Sequence, residues 1–124
     1  MYSVTVRDHI LIAHSLKSPV FGPAQNLHGA TYVVDVEFLA EELNEDSIVI
    51  DIGEAQEKLK KVLAELNYQN LDEHPHFKET LSTSENIAKF IHDRMKREVS
   101  GLFDGIIKVT LGESPSAGAS YKGE

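Results

Sequence analysis

Cysteine and tryptophan are both absent from this 124-residue chain. Without cysteine, disulfides, thiolate-bound zinc fingers and thiol catalysis are all excluded. Positive charge is also scarce, with Lys+Arg 12 against Asp+Glu 20 for a net charge of −8. That balance argues against nucleic acid or an anionic membrane surface as the main partner. No stretch approaches the roughly 20 apolar residues needed to span a bilayer, so no membrane segment is expected. The chain opens on strand-like alternation rather than a leader-type apolar run, and the expected compartment is cytoplasmic. What is present is ordinary globular material, 41% hydrophobic and 26% charged, with no low-complexity tract. The length fits one domain spanning 1–124.

Periodicity supplies the architecture. Tyr2, Val4, Val6, Ile10, Ile12 and His14 share one parity, with Asp8 the misfit among them, and predict a long half-buried strand. A Ser-, Pro-, Gly- and Asn-rich stretch at 15–27 reads as a loop. His28, Ala30, Tyr32, Val34, Val36 and Phe38 then share a face of a second strand. If these strands pair antiparallel, His14 and His28 come together on one side of the sheet. Asp51 with Glu54, and Ser82 with Glu85, have the spacing of capping boxes before helices near 52–66 and 83–99. Between them, 67–81 reads as a polar connection. Strand signals return near 105–113 and 118–122. The order ββααββ predicts an α+β fold, an antiparallel sheet with both helices on one face.

Four groups could carry chemistry. His14 and His28 are a candidate metal pair, because neutral imidazole nitrogens bind zinc. The plain structural alternative is two hydrogen-bonded core histidines. A catalytic zinc normally takes three protein ligands and an open position, and the spacing supplies two. Glu113 falls by parity at the inner end of an apolar strand face, where a carboxylate needs a partner. That partner is either an internal cation or helix end, or a ligand presenting a paired N–H edge such as an aminopyrimidinone. Thr83 and Ser84 bring hydroxyls to a helix start, suited to polar heteroatoms of a ligand, although a cap alone explains Ser82 and Glu85. His74 and His76 lie in an acidic loop and matter only if the fold carries them over the histidine pair.

The stretches IAHSL (12–16), LHGATY (27–32), IVIDIGEAQ (48–56), LNYQNLD (66–72), STSENIA (82–88) and LGES (111–114) occur in the order of one known family. Over nearly the whole chain the sequence resembles the 6-pyruvoyl-tetrahydropterin synthase/6-carboxytetrahydropterin synthase family. The resemblance implies the tunnelling fold, with ββααββ subunits whose sheets join around a central barrel. It implies a homo-oligomer, a hexamer in preference to a tetramer, with active sites at subunit boundaries. It also implies zinc-dependent lyase chemistry on dihydroneopterin triphosphate. Matched position by position, His14 and His28 stand where the first two zinc histidines are expected, and Glu113 where a carboxylate anchors the pterin. Thr83 and Ser84 match the neighbouring pterin-contacting hydroxyls. The third zinc histidine is replaced by Ala30, the catalytic cysteine by Ala24, and an Asp-His pair by Asn67-Tyr68. Loss of a general base is typically worth ~10²–10⁴-fold in rate. The expectation is therefore a pterin-binding homologue with a partial zinc site, a divergent lyase or aldolase-type enzyme that performs the standard reaction poorly. His74 is the first candidate for a replacement base, with His76, Asp72 and Tyr68 behind it. His74 and then His76 are also the candidates for a third metal ligand. The alternatives are a non-catalytic protein that holds a pterin or purine-like ligand, and a homologue kept only for assembly.

Overall fold

A computed structural model describes residues 1–124. Strand β1 (Tyr2–His14) and strand β2 (His28–Ala40) pair antiparallel along their full lengths, from Tyr2 opposite Ala40 to His14 opposite His28. The alternation explains them: Val6, Ile10, Ile12 and His14 are buried, as are Tyr32, Val34, Val36 and Phe38 on the same face. Helix α1 covers Ile52–Leu63, and a two-residue strand β3 (Gln69–Asn70) follows. Helix α2 spans Ser84–Glu98, and β4 (Ile106–Ser114) and β5 (Ala117–Gly123) complete the chain. The sheet order is β3-β1-β2-β4-β5, with both helices packed on one face. Between helices and sheet, Leu59, Val62, Ile87, Ile91 and Met95 meet Val34, Phe38, Val109 and Leu111 in one core. Each such side chain contributes about 1.5–3 kcal/mol by leaving water. No helix is long and apolar enough to cross a membrane.

The structure departs from the expected elements in four places. β3 pairs parallel to β1, Ile12 with Gln69 and Ala13 with Asn70, so the sheet is mixed rather than purely antiparallel. The polar connection 67–81 also holds two 3-10 turns, Leu71–Glu73 and Pro75–Phe77, pinned by buried Leu71 and Phe77. Helix α1 stops at Leu63, and the turn that follows brings Tyr68 to φ 61°. Residues 15–27 are not a plain loop, because Pro19–Gln25 winds into 3-10 turns broken at Gly22. There φ 52° and ψ −126° suit a residue without Cβ.

The two capping expectations divide. Asp51 caps α1, its Oδ2 accepting from the Glu54 amide at 2.8 Å. On α2 the cap is Thr83, whose Oγ1 accepts from the Asn86 amide at 3.2 Å. Ser82 is instead buried and turned toward His14, whose ring nitrogen would otherwise lack a partner.

Two sheet edges stay open. β3 covers only the His14 end of β1, leaving Tyr2–Ile10 unpaired on that side, and β5 has no outer neighbour. The registers place Val4, Phe38, Ile107 and Gly123 on one level of the sheet, and His9, Val33, Gly112 and Gly118 on another. The two open edges therefore stand at the same height.

Candidate functional site

The β1–β2 register sets His14 directly across from His28 at the end of the hairpin. Their ring centroids are 4.7 Å apart at an interplanar angle of 61°. His14 is 2% exposed, and its Nδ1 lies 3.0 Å from both the Ser82 carbonyl and the Ser82 hydroxyl. His28 Nδ1 lies 2.8 Å from the Asn26 carbonyl. Carbonyl oxygens only accept, so each ring carries its proton on Nδ1 and keeps the Nε2 lone pair free. Burial pushes the His14 imidazolium below its ordinary range and the neighbouring His28 adds to this, against smaller opposing effects of Ser82, Asp72 and Glu113. His14 is thus held as a neutral base-type nitrogen donor.

Asp72 stands beside this pair. Its carboxylate accepts from the Ser15 hydroxyl at 2.6 Å and the Ser15 amide at 3.1 Å. Burial works to raise its pKa, but the Ser15 hydroxyl and amide, with His14 and Lys17, hold it below the usual carboxylate range. An acid with both oxygens engaged and a lowered pKa is a weak proton acceptor. Its service here is to latch the residue that follows His14.

From the other side come α2 and β4. The Ser84 hydroxyl donates to Glu113 Oε1 at 2.8 Å, while Oε2 has no protein partner. Glu113 is exposed, which corrects the expectation of an inward, buried carboxylate. Ile107, Val109 and Leu111 keep the apolar parity, but the strand leaves the core before Glu113, and a bulge between Gly112 and Ser114 follows. Glu113 pairs with no cation in this chain, and its one protein partner, Ser84, is the first residue of α2, so the helix-end alternative is met by one of its two oxygens. Thr83 is spent as the helix cap. Tyr32, on the inward face of β2, stands between the two halves. Its ring is 2% exposed and edge-on to His14, centroids 6.5 Å apart.

The candidate third ligands do not join the pair. His74 Nδ1 accepts from the His76 amide at 3.1 Å, and both rings pack on Phe77 and Phe90. Burial, Arg94 and His74 hold His76 below its ordinary pKa. No group of three His, Cys, Asp or Glu that could hold a metal forms within the subunit. Ala30, where the resemblance expects a third zinc histidine, packs against the core and offers no ligand atom. The expectation that His74 or His76 would complete the shell is not met within one chain, because the Phe90 cluster holds them. Tyr68 is 79% exposed, and Asn67 Oδ1 accepts from the Leu11 amide at 3.0 Å. A hollow of about 500 Å³ lies at the opposite end of the sheet among Tyr2, Val4, Ile48 and Ile52, and is lined by no histidine.

With this geometry in place, known proteins give a consistent comparison. Residues 3–124 match the family model described as 6-pyruvoyl tetrahydropterin synthase. The chain is 30% identical to a putative 6-pyruvoyl tetrahydrobiopterin synthase of Caenorhabditis elegans, covering 94% of this chain and 91% of that protein. It is 29% identical to a 6-carboxy-5,6,7,8-tetrahydropterin synthase of Aquifex aeolicus, over 80% of this chain and 75% of the relative. The solved Caenorhabditis elegans 6-pyruvoyl tetrahydropterin synthase superposes with a TM-score of 0.85, covering 99% of this chain and 96% of that one. Both the family match and the superposition run over nearly the whole chain. The chain belongs to the 6-pyruvoyl tetrahydropterin synthase family.

Proposed function

We propose that the protein binds a dihydroneopterin-like pterin, gripping its aminopyrimidinone edge with Glu113 while the pterin's side chain reaches toward His14 and His28. The observation that carries this is Glu113 itself. It is an exposed carboxylate with one oxygen fixed by Ser84 and the other free, on the side of the site facing the histidines. A carboxylate so placed offers two acceptors to a ligand with two adjacent N–H groups.

The residues fit zinc in part. His14 and His28 would hold the ion through Nε2, since both tautomers are already fixed by carbonyl acceptors. Bound there, zinc would act as a Lewis acid toward ligand oxygens. The rest belongs to this chain's own groups: Ser82 and Asn26 orient the rings, Ser84 fixes Glu113, and the Asp72–Ser15 latch holds the end of β1. None of these removes a proton from a pterin side chain. We therefore read the protein as a divergent lyase-type member of the family, poor at the standard synthase reaction. A second reading, a protein that holds a pterin without converting it, is favoured by one observation: both Asp72 oxygens and the His74 Nδ1 are already engaged.

Titration of the purified protein with dihydroneopterin, followed by ligand fluorescence, tests the recognition half. Product analysis after incubation with dihydroneopterin triphosphate and zinc then separates the two readings. No pterin binding would sink both, and turnover at ordinary enzymatic rates would refute the argument from missing bases.

A further inference from the structure

Where α2 packs against β5, one polar side chain joins the two elements. His92 points inward from α2 and is 2% exposed. Its Nε2 lies 3.0 Å from the Gly123 carbonyl of β5, and its Nδ1 lies 3.0 Å from Asp93 Oδ1. Both partners are acceptors. A neutral imidazole has one N–H and can satisfy only one of them, whereas an imidazolium satisfies both. The strand comes this close because residue 123 is glycine: a Cβ there would stand 3.3 Å from Nε2. The Tyr121 ring packs edge-on against the imidazole, centroids 4.7 Å apart.

The charges around the ring are few. On α2, the Asp93 carboxylate meets His92 with one oxygen and accepts from Lys89 at 2.8 Å with the other. Burial works to raise the Asp93 pKa, but Lys89 and His92 hold it below the usual carboxylate range. It therefore stays an anion and an acceptor. From β5 comes Tyr121, with the Lys89 ammonium 5.3 Å from its ring centroid. On β4 the side chains next to Tyr121 and Gly123 are Val109 and Ile107, both apolar and buried. Lys96, one turn further along α2, and Glu124, beside Gly123, flank the contact with opposite charges.

We propose that His92 is a proton-operated clamp on the outer edge of the sheet: taking up a second proton locks β5 onto α2, and losing it releases the end of the strand. With one proton left, the ring keeps its bond to Asp93, because hydrogen bonds to ions are the stronger. Nε2 then turns a lone pair toward the Gly123 carbonyl, and two acceptors face each other. β5 has no outer neighbour in the sheet, so no second ladder holds that end in place. Histidine is the side chain whose second proton ordinarily comes and goes between about pH 5 and 8. The clamp thus ties the order of an open sheet edge to the surrounding pH.

The test follows the full chain by NMR. Two-bond correlations in wild-type protein labelled with 15N-histidine report the protonation of each ring nitrogen, and cross-peaks to the Tyr121 ring identify His92. Both its nitrogens should carry protons at about pH 5.5, and Nε2 should have lost its proton by about pH 8.5. Over that rise the amide protection of residues 119–123 should fall about threefold to tenfold, the worth of one hydrogen bond. In His92→Gln this dependence should vanish. His14 and His76 act in the opposite sense and on the fold as a whole. Both remain in the variant, so the difference between the two proteins isolates the clamp. A His92 ring that keeps one protonation state across the range overturns the proposal, and that readout needs only wild-type protein. Strand protection with the same pH course in a folded His92→Gln overturns it as well.

Discussion

Replacing Glu113 gives the most direct measure of the recognition half. In the free protein the side chain is exposed and makes one hydrogen bond, from Ser84. Its removal should cost the fold about 0.5–1.5 kcal/mol at most, the net value of a single hydrogen bond. In the complex the same carboxylate would accept two N–H groups of an aminopyrimidinone. Hydrogen bonds to a charged group are worth about 1.5–3 kcal/mol each. Two of them amount to about 3–6 kcal/mol, or roughly 10²–10⁴ in dissociation constant. Glu113→Ala should thus unfold at nearly the wild-type temperature yet lose measurable pterin binding. Glu113→Gln sharpens the test. The amide keeps one acceptor but turns an N–H donor toward a ligand donor, so it should bind almost as poorly as the alanine variant. Calorimetry or fluorescence titration, with circular dichroism melts as the folding control, reads both effects. Full affinity in the glutamine variant would show that Glu113 does not engage a paired donor edge, and the specificity argument would fall.

Zinc binding should depend on His14 and His28: His14→Ala should nearly eliminate binding in a competition assay with a chromogenic chelator, and Ala30→His should strengthen it. Strengthening is expected because residue 30 follows His28 by two on the same strand face; no gain would refute that placement of the third ligand. Acidification should destabilise the protein. His14 and His76 have pKa values below 6.5 in the fold, so the unfolded chain binds more protons between those lowered values and 6.5. Their contribution is therefore complete above pH 6.5 and is lost as pH falls through that window. Melting temperatures measured from pH 8 to 5 check this, and a His76→Asn variant should show a shallower slope. Restoring the lost groups with Ala24→Cys, Asn67→Asp and Tyr68→His should recover some synthase activity if the scaffold is intact. The backbone should accept the last change, because histidine enters the positive-φ region held by Tyr68 more readily than most residues. Finally, the open edges of β1 and β5 should be covered by other copies of the chain, giving a homo-oligomer in light scattering. A stable monomer at micromolar concentration would contradict it.

How far the sequence could be read depends on the range of the signal. Strand parity in 2–14 and 28–39 is a local, repeated pattern, and it placed both strands and brought His14 to His28. The same rule failed at Glu113, because parity says nothing about where a strand leaves the core. Leu71 and Phe77 were hidden in a polar stretch: two isolated apolar residues have no period, yet each is buried by partners distant in sequence. The spacing of Ser82 to Glu85 predicts a cap. What overrode that pattern was the need of His14, 68 residues away, for a partner at Nδ1. The clustering of His74 and His76 on Phe90 was likewise a tertiary fact with no local trace. Tyr32 carried a signal that was available, an inward aromatic with a polar tip on the face of both histidines.

The contact between Asn67 and Leu11 has a meaning beyond its single hydrogen bond. Asn67 Oδ1 takes the Leu11 amide proton, and the Tyr68 amide donates to the Leu11 carbonyl at 2.7 Å. β3 then occupies Ile12 and Ala13. Together they act as a doorstop on the β1 edge. A strand from another molecule could zip along Tyr2 to Ile10 but would stop at Leu11, whose amide and carbonyl are both engaged and beyond which β3 already occupies the edge. Sliding by one residue would turn the incoming strand's side chains to the wrong face, and the stop removes the shift that would overrun the His14 end. In an edge-paired assembly, the segment around Asn67 and Tyr68 would thus set the register and keep a neighbouring strand away from the histidine end.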